Sequence, residues 1–362
     1  MTAPATVVPV CRHFGVCGGC SAQDVAPAAL AEAKHARLAA ALARAGFADP
    51  HPAPEVSIPM GTRRRADFAV ARVAGAVRLG FHETRSRTVV DIAECPLLRP
   101  ELEALIDPLR ALLARLQGLR KSADVRVNLL DAGADVSVAL DGEATAADRA
   151  RLVAFAQEHD LPRISLGAEP VLIRRPPTLD CAGLVVLPPP AAFLQPSFEG
   201  EAAIRAAVLA GLPPKLTRKS RIVEFYAGIG TLTGALAAHA RVHAVEGSAP
   251  ALAALDEAAR TGGQAGRIDT ERRDLARRPV TAKELAGAAC VVLDPPFDGA
   301  GPQIAPLVEA KVQRIVYVSC NPEALAREAA PFARAGYRLL ASTPIDQFPG
   351  SDHLESVVVL GL

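Results

Sequence analysis

At 362 residues, half of them apolar, the chain is long for one hydrophobic core and too hydrophobic for wholesale disorder, so two or three domains are expected. A formal net charge of +1, from 40 Lys and Arg against 39 Asp and Glu, excludes a global nucleic-acid signature and leaves only local basic clusters. No run reaches about 18 uninterrupted apolar residues, and Met1 to Val10 lacks a secretory signal, so a cytoplasmic protein with no membrane partner is expected.

In chain order the first feature is a group of cysteines. Cys11, Cys17 and Cys20 are crowded together, with Gly18 and Gly19 permitting the tight turn that converging thiolates require. Cys95 stands alone before Pro96. Where thiols are kept reduced, such residues point to metal or catalysis before disulfides, and four ligands would tie the N-terminus to a later segment. Five and then two intervening residues match neither paired zinc knuckles nor a ferredoxin run, which leaves zinc, an iron–sulfur cluster and free thiols open. Cys181 and Cys290 sit in apolar surroundings and read as small core residues.

Ala26 to Phe47 carries charges at helical spacing and predicts one helix; strands follow from about Pro54. Arg65 to Phe81 alternates around Gly75 like a hairpin, Thr88 to Ile92 supplies another strand, and Glu101 to Leu116 is a second amphipathic helix. Val125 to Leu130 and Val136 to Leu140 pair around Asp131 to Ala134, Ala146 to His159 is helical, and Val185 to Leu187 is a strand. This middle region reads as a small α+β domain.

Beyond Phe193-Leu194-Gln195-Pro196 the pattern alternates between strands and helices: strand Ile222 to Tyr226, helix Leu232 to His239, strand Arg241 to Val245. A further helix and strands at Ala289 to Leu293, up to Cys320, Tyr337 to Thr343 and Ser356 to Leu360 complete an α/β, Rossmann-like doubly wound sheet. Such sheets bind ligands outside the carboxyl ends of their strands. Three turns would face one crevice there: Ala227-Gly228-Ile229-Gly230-Thr231, Asp294-Pro295-Pro296-Phe297 and Ser319-Cys320-Asn321-Pro322.

Gly228 and Gly230 let backbone approach a ligand, and Glu246, ending the next strand, can accept from both hydroxyls of a ribose. Thr233 stands where the full dinucleotide fingerprint requires a third glycine, which disfavours a pyrophosphate cofactor. Asp274 lies where a third strand ends and can accept from an adenine amino group. The order of glycine turn, Glu246, Asp274 and Asp294 resembles a class I methyltransferase that uses S-adenosyl-L-methionine.

An Asp-Pro-Pro-aromatic turn serves amino methylation without any cysteine. Methylating C5 of a pyrimidine differs: the carbon is a poor nucleophile until a thiolate adds to C6, and a base must later remove the C5 proton. Cys320 is the candidate nucleophile and Glu355, just before the last apolar strand, the candidate base.

With these residues the sequence resembles the RNA (uracil-5-)-methyltransferases over nearly its whole length. The resemblance implies that Cys320 is the nucleophile and Glu355, in the segment with Asp346, Phe348-Pro349 and His353, the proton acceptor. It implies cofactor contacts from Gln195, Tyr226, Glu246 and Asp294, beside Gly228, Gly230, Thr231 and Asp274. The cysteine pattern is similar to that of the ribosomal branch, which implies a [4Fe–4S] cluster on Cys11, Cys17, Cys20 and Cys95, with zinc as the alternative. The family usually has Arg or Lys at Phe297 and commonly Asn at Thr231 and Ser197, and no room precedes Cys11 for the RNA-binding barrel of some members.

The expected organisation is a cluster-binding segment and helix (1–50), a central α+β domain (51–192) whose Cys95 returns to the cluster, and a methyltransferase domain (193–362). The expected activity is methylation of uridine C5 in structured RNA, 23S rRNA before tRNA, by a monomer. Arg63 to Arg65 and Arg85 are the candidates for phosphate contacts; the runs Lys215 to Arg221 and Arg272 to Arg278 read first as solvated faces. An N-methyltransferase built on Asp294 to Phe297, and a non-catalytic RNA-binding protein, are the alternatives.

Overall fold

The computed structural model describes residues 6–362; residues 1–5 of the expected N-terminal segment lie outside the described residues. Helix α1 (Pro27–Arg44) opens with proline at its first position and buries Leu30, Lys34, Leu38 and Leu42, one stripe at intervals of four. Strand β1 (Val56–Ser57) follows.

The middle region begins with hairpin β2 (Arg65–Val73) and β3 (Ala76–His82), then β4 (Val89–Asp91). Ala74 and Gly75 both take positive φ, 49° and 86°, the geometry that a two-residue hairpin turn needs. The single helix expected over 101–116 is instead two, α2 (Pro100–Glu103) and α3 (Ile106–Arg115). Pro108 explains the break: its ring clashes with the carbonyl of Ala104 and it has no N–H to continue the ladder. Strands β5 (Ser122–Leu130) and β6 (Gly133–Leu140) pair as expected, and α4 (Ala146–Glu158) starts at a capping box between Thr145 and Asp148. Strands β7 (Arg163–Leu166) and β8 (Glu169–Ile173) extend this sheet, whose order is β4-β3-β2-β5-β6-β7-β8. Hairpin β9 (Leu179–Asp180) and β10 (Val185–Val186) then packs Leu179, Cys181, Leu184 and Val186 into the C-terminal core.

Helix α5 (Phe198–Ala210), not anticipated, is capped by Ser197, whose Oγ accepts from Gly200 N at 2.9 Å. The remaining elements are β11 (Arg221–Phe225), α6 (Thr233–Ala237), β12 (Arg241–Glu246), α7 (Ala249–Thr261), β13 (Ile268–Arg272), β14 (Cys290–Leu293), α8 (Ile304–Glu309), β15 (Arg314–Ser319), α9 (Pro322–Arg334), β16 (Arg338–Asp346) and β17 (Glu355–Gly361).

They form one sheet in the order β1-β16-β17-β15-β14-β11-β12-β13, parallel except for β17. The chain reverses direction of growth between β11 and β14, and that switch point opens the crevice at the strand ends. Helix α1 packs on α9, and β1 pairs in parallel with β16 at Val56 and Ile345, so residues well before the C-terminal half complete its outer layer and edge. Val291, Leu293, Ile315 and Tyr317 face α1 and α9; Val292, Val316 and Val318 face the opposite core with α5 and α7. Burial on both faces explains the near-continuous apolar runs of β14 and β15. Among the described residues no helix is long and apolar enough to cross a membrane.

Candidate active site

A crevice of about 1180 Å³ lies at the carboxyl ends of β11, β12, β14 and β15, between the large sheet and the central region. Of the residues named from the sequence, Gln195, Tyr226, Gly228, Thr231, Glu246, Asp294, Cys320 and Glu355 line it; Gly230 and Asp274 do not.

The glycine turn is built tightly. Gly228 and Gly230 take φ +57° and +98°, and Tyr226, although it carries a side chain, takes φ +62° at the end of β11, a strained conformation held by its hydroxyl donating to Ala300 O at 3.1 Å. Glu246 accepts from Gly228 N at 2.8 Å and Ser248 N at 2.6 Å, which fixes its carboxylate over the turn. Gly230 serves packing: a Cβ there would meet Leu255 Cδ1 at 2.5 Å. Asp274 is largely exposed and accepts from Ala276 N at 3.1 Å and Arg277 N at 3.2 Å, so it closes its own turn.

The chemical end of the crevice follows from register. Ser319, the last residue of β15, pairs with Ser356 in antiparallel β17, so Cys320, which follows β15, and Glu355, which opens β17, meet at the same end of the sheet, close enough for the Glu355 charge to act on the thiol. A chain of side chains joins Glu355 to Asp294: Gln195 Nε2 donates to Asp294 Oδ2 at 3.1 Å, and Gln347 Nε2 donates to Gln195 Oε1 at 3.0 Å and to Glu355 Oε2 at 3.0 Å. Burial pushes the Asp294 carboxyl up, opposed by the Gln195 donor. Burial and the Asp294 charge hold Glu355 well above the usual carboxylate range, opposed by Gln347 and by Ser356 N–H. The Cys320 thiol, pushed up to about 12 by burial and by the charges of Glu355 and Asp294, is protonated at rest. Beneath the glycine turn Glu224 is buried, accepts from Thr233 Oγ1 at 2.6 Å, and is pushed up to about 8.

The basic residues divide. Arg64 is not a phosphate contact: it is fully buried, pairs with Glu201, and donates to Gln195 O at 3.0 Å, because its position in the β2 entry points it inward. Arg63, Arg65 and Arg126 line the crevice wall, and the Arg65 guanidinium lies 4.5 Å from the Phe193 ring centroid. Lys215 to Arg221 leads into β11, whose first residue is Arg221, and so lies at the amino end of that strand, opposite the crevice. Arg273 is spent in ion pairs with Glu271 and Glu284, both at 2.6 Å. Arg85 is exposed, in the turn before β4, outside the crevice lining. Gln347, Arg126 and Phe193 are site residues that sequence reasoning did not single out as such.

The four cysteines Cys11, Cys17, Cys20 and Cys95 line a second cavity of about 200 Å³, which shares Gly19, Arg63 and Leu97 with the crevice. Among the described residues no group of three or more His, Cys, Asp or Glu side chains is gathered at metal-holding spacing. The donor set nevertheless suits a thiolate-bound group. Gly19 N reaches Cys17 Sγ at 3.5 Å, Gln23 Nε2 donates to Cys20 Sγ at 3.1 Å, and Cys95 accepts from Leu97 and Leu98 N–H. Burial pushes Cys95 up to about 11 and raises Cys17 and Cys20, a penalty on the thiolates that a bound cation would offset.

The family described as tRNA (Uracil-5-)-methyltransferase matches residues 192–361. An "Uncharacterized RNA methyltransferase" of Brucella suis is 39% identical over 355 residues, 97% of this chain and 84% of that protein. The 23S rRNA (uracil(1939)-C(5))-methyltransferase RlmD of Chromohalobacter salexigens is 33% identical, over 99% of this chain and 77% of that protein. The crystal structure of Pyrococcus abyssi tRNA (uracil-54, C5)-methyltransferase with S-adenosyl-L-homocysteine shares the fold, with a TM-score of 0.71 at 19% identity over 96% of this chain and 86% of that chain. A cysteine and a carboxylate brought together at the switch point thus accompany sequence kinship over nearly all of this chain, and the chain belongs to the RNA (uracil-5-)-methyltransferase family.

Proposed function

We propose that the chain methylates C5 of a uridine in 23S rRNA through a covalent adduct between Cys320 and C6, with tRNA as the other substrate to test. The observation that carries this reading is the placement of Cys320 and Glu355 together where β15 meets β17, inside the crevice that ends at the glycine turn. The relationship to a 23S rRNA enzyme favours ribosomal RNA.

S-adenosylmethionine supplies the methyl group and brings a positive sulfonium into a crevice whose carboxylates disfavour the thiolate. Gly228, Thr231 and Tyr226 shape the cofactor end, Glu246 takes the ribose hydroxyls, and Gln195 and Asp294 border the reacting end. Asp274 and Gly230 act from outside the lining, through the loop after β13 and the packing beneath the turn. Cys320, once it has given its proton to solvent, would add Sγ to C6, and the electron pair displaced to C5 would attack the methyl carbon, whose bond to the sulfonium sulfur breaks so that S-adenosylhomocysteine leaves. Glu355 then accepts the C5 proton, the C5=C6 bond re-forms, and the C6–S bond breaks to return the thiolate. Glu355 has to be ionised at that point, which the Gln347 donor favours. The target base has to leave its stack to reach Cys320.

Cys11, Cys17, Cys20 and Cys95 hold a [4Fe–4S] cluster in this reading, with structural duty beside the RNA path; anaerobic absorbance with iron and sulfide assays tests it, and zinc without sulfide would overturn it. The function is tested by mapping 5-methyluridine in ribosomal and transfer RNA from a strain lacking the gene, complemented with wild type or Cys320→Ala. Loss at one ribosomal site, restored by wild type alone, is expected, together with a denaturation-resistant complex on 5-fluorouridine RNA. Unchanged 5-methyluridine everywhere in the strain lacking the gene would replace this reading with amino methylation at Asp294 to Phe297 or with a non-catalytic RNA-binding role.

A further inference from the structure

The chain has 11 Phe, 3 Tyr and no Trp, and among the described residues only Phe193 and Phe297 are largely exposed aromatics. Both line the crevice. A lone exposed apolar side chain is ordinary, but two from so small a set at one cavity mouth are not a random scatter. Phe193 already has the Arg65 guanidinium over its ring. Phe297 is 53% exposed, and its one aromatic neighbour is His353, at 6.2 Å and 80°. His353 is in turn braced against Phe348 at 5.8 Å.

The ring is held, not loose. Pro295 and Pro296 fix the backbone before it, and Asn321 Nδ2, one residue after Cys320, donates to Phe297 O at 3.0 Å. The Phe297 loop is therefore tied to the nucleophile's own turn, on the side of the crevice away from Glu246. A base extruded toward Cys320 leaves its neighbours without a stacking partner, and a fixed aromatic face is a replacement that any base accepts.

We propose that Phe297, backed by His353, is a stacking platform for the unpaired nucleobase adjacent to the target uridine. The proposal rests on the RNA reading above. It makes Phe297 a positioning residue for RNA, with no part in cofactor binding or in the chemical steps.

The test uses a fluorescein-labelled fragment of unmethylated 23S rRNA spanning the mapped uridine, or of tRNA if the mapped site lies there, and versions with an abasic residue on either side. Phe297→Ala is expected to weaken binding and raise KM for RNA about ten-fold, with kcat and the KM for S-adenosylmethionine unchanged. Phe297→Trp is expected to restore binding. An abasic residue on one side should cost wild type the same factor and cost Phe297→Ala nothing. Unchanged affinity in Phe297→Ala, or penalties that simply multiply, would overturn the platform. Coupled binding losses without any 5-methyluridine formed would instead sink the uridine reading and leave the platform standing.

Discussion

Gln347 Nε2 stands 3.0 Å from Glu355 Oε2, and it is the one side-chain donor to that carboxylate, whose other oxygen is buried without a partner. A donor to the ionised form lowers the pKa of a group that burial and Asp294 raise. Replacing Gln347 by Leu removes the donor while keeping the volume. On the proposed mechanism methylation requires ionised Glu355, so activity is expected to fall as pH drops through its apparent value. In Gln347→Leu that fall should occur at least about one pH unit higher, from the worth of a hydrogen bond to a charged group. Single-turnover rates against pH check it; an unshifted profile with a uniformly lower rate would make Gln347 a packing residue only.

Lys34 is a second support. Its ammonium, 1% exposed, lies 2.6 Å from Asp346 Oδ1 and 3.3 Å from Phe348 O, while the same Asp346 oxygen accepts from Phe348 N at 3.0 Å. The first long helix thereby braces the Asp346-Gln347-Phe348 turn that carries the Glu355 donor. Lys34→Met strands a buried carboxylate and should destabilise the fold by roughly 3–5 kcal/mol in urea unfolding. Lys34→Met with Asp346→Asn should recover part of that loss, since no unpaired charge remains; no recovery would place the cost in packing.

These supports also mark what was legible beforehand. The thiol, the base and the glycine turn were readable because strand-to-turn motifs are local. The thiol and the glycine turn were also expected at one crevice, but the place of the base beside them was not legible, because Glu355 reaches Cys320 only through the antiparallel insertion of β17 beside β15. Lys34 went unnamed among the charges of its helix, since lysine is almost never buried without a partner, and its partner is distant in sequence. Strands β7 and β8 were missed for a related reason: the buried Arg163, in a two-pronged contact with Asp135 at 2.8 and 2.7 Å, hides the apolar alternation of a short strand. Arg64 misled in the same way, a basic run concealing one fully buried member.

Glu224 links the site to stability. Its carboxyl, pushed up to about 8 by burial, keeps its proton in the folded chain at pH values where the unfolded chain has lost it. The folded state binds more protons between about pH 4.5 and 8, so stability falls as pH rises through that window. The slope contributed is at most about 1.4 kcal/mol per pH unit. Glu224→Gln, which can still accept from Thr233, should remove the slope and be the more stable protein at pH 8. Urea midpoints from pH 5 to 8 decide; parallel curves would assign Glu224 no titration in this range.

The cysteine cavity connects to the crevice by backbone. Arg63 N donates to Leu97 O and Arg99 N to Arg63 O, both at 2.9 Å, while Arg64 N donates to Pro196 O at 2.7 Å, next to Gln195. The Cys95 segment, the β2 entry and the Gln195 turn are therefore one hydrogen-bonded unit, and Arg63 lines both cavities. On the proposed cluster reading, Cys95→Ser should abolish iron retention after anaerobic reconstitution. It should also weaken RNA binding, because the wall carrying Arg63 and Arg65 loses its anchor. Of the cofactor side, only the Gln195 turn belongs to this unit, while Glu246 and the glycine turn belong to β11 and β12 on the far side, so binding of S-adenosylmethionine by calorimetry should fall much less than RNA binding. Cofactor affinity lost in parallel with RNA affinity would mean that the cysteine cavity holds up the whole fold and not the RNA wall alone.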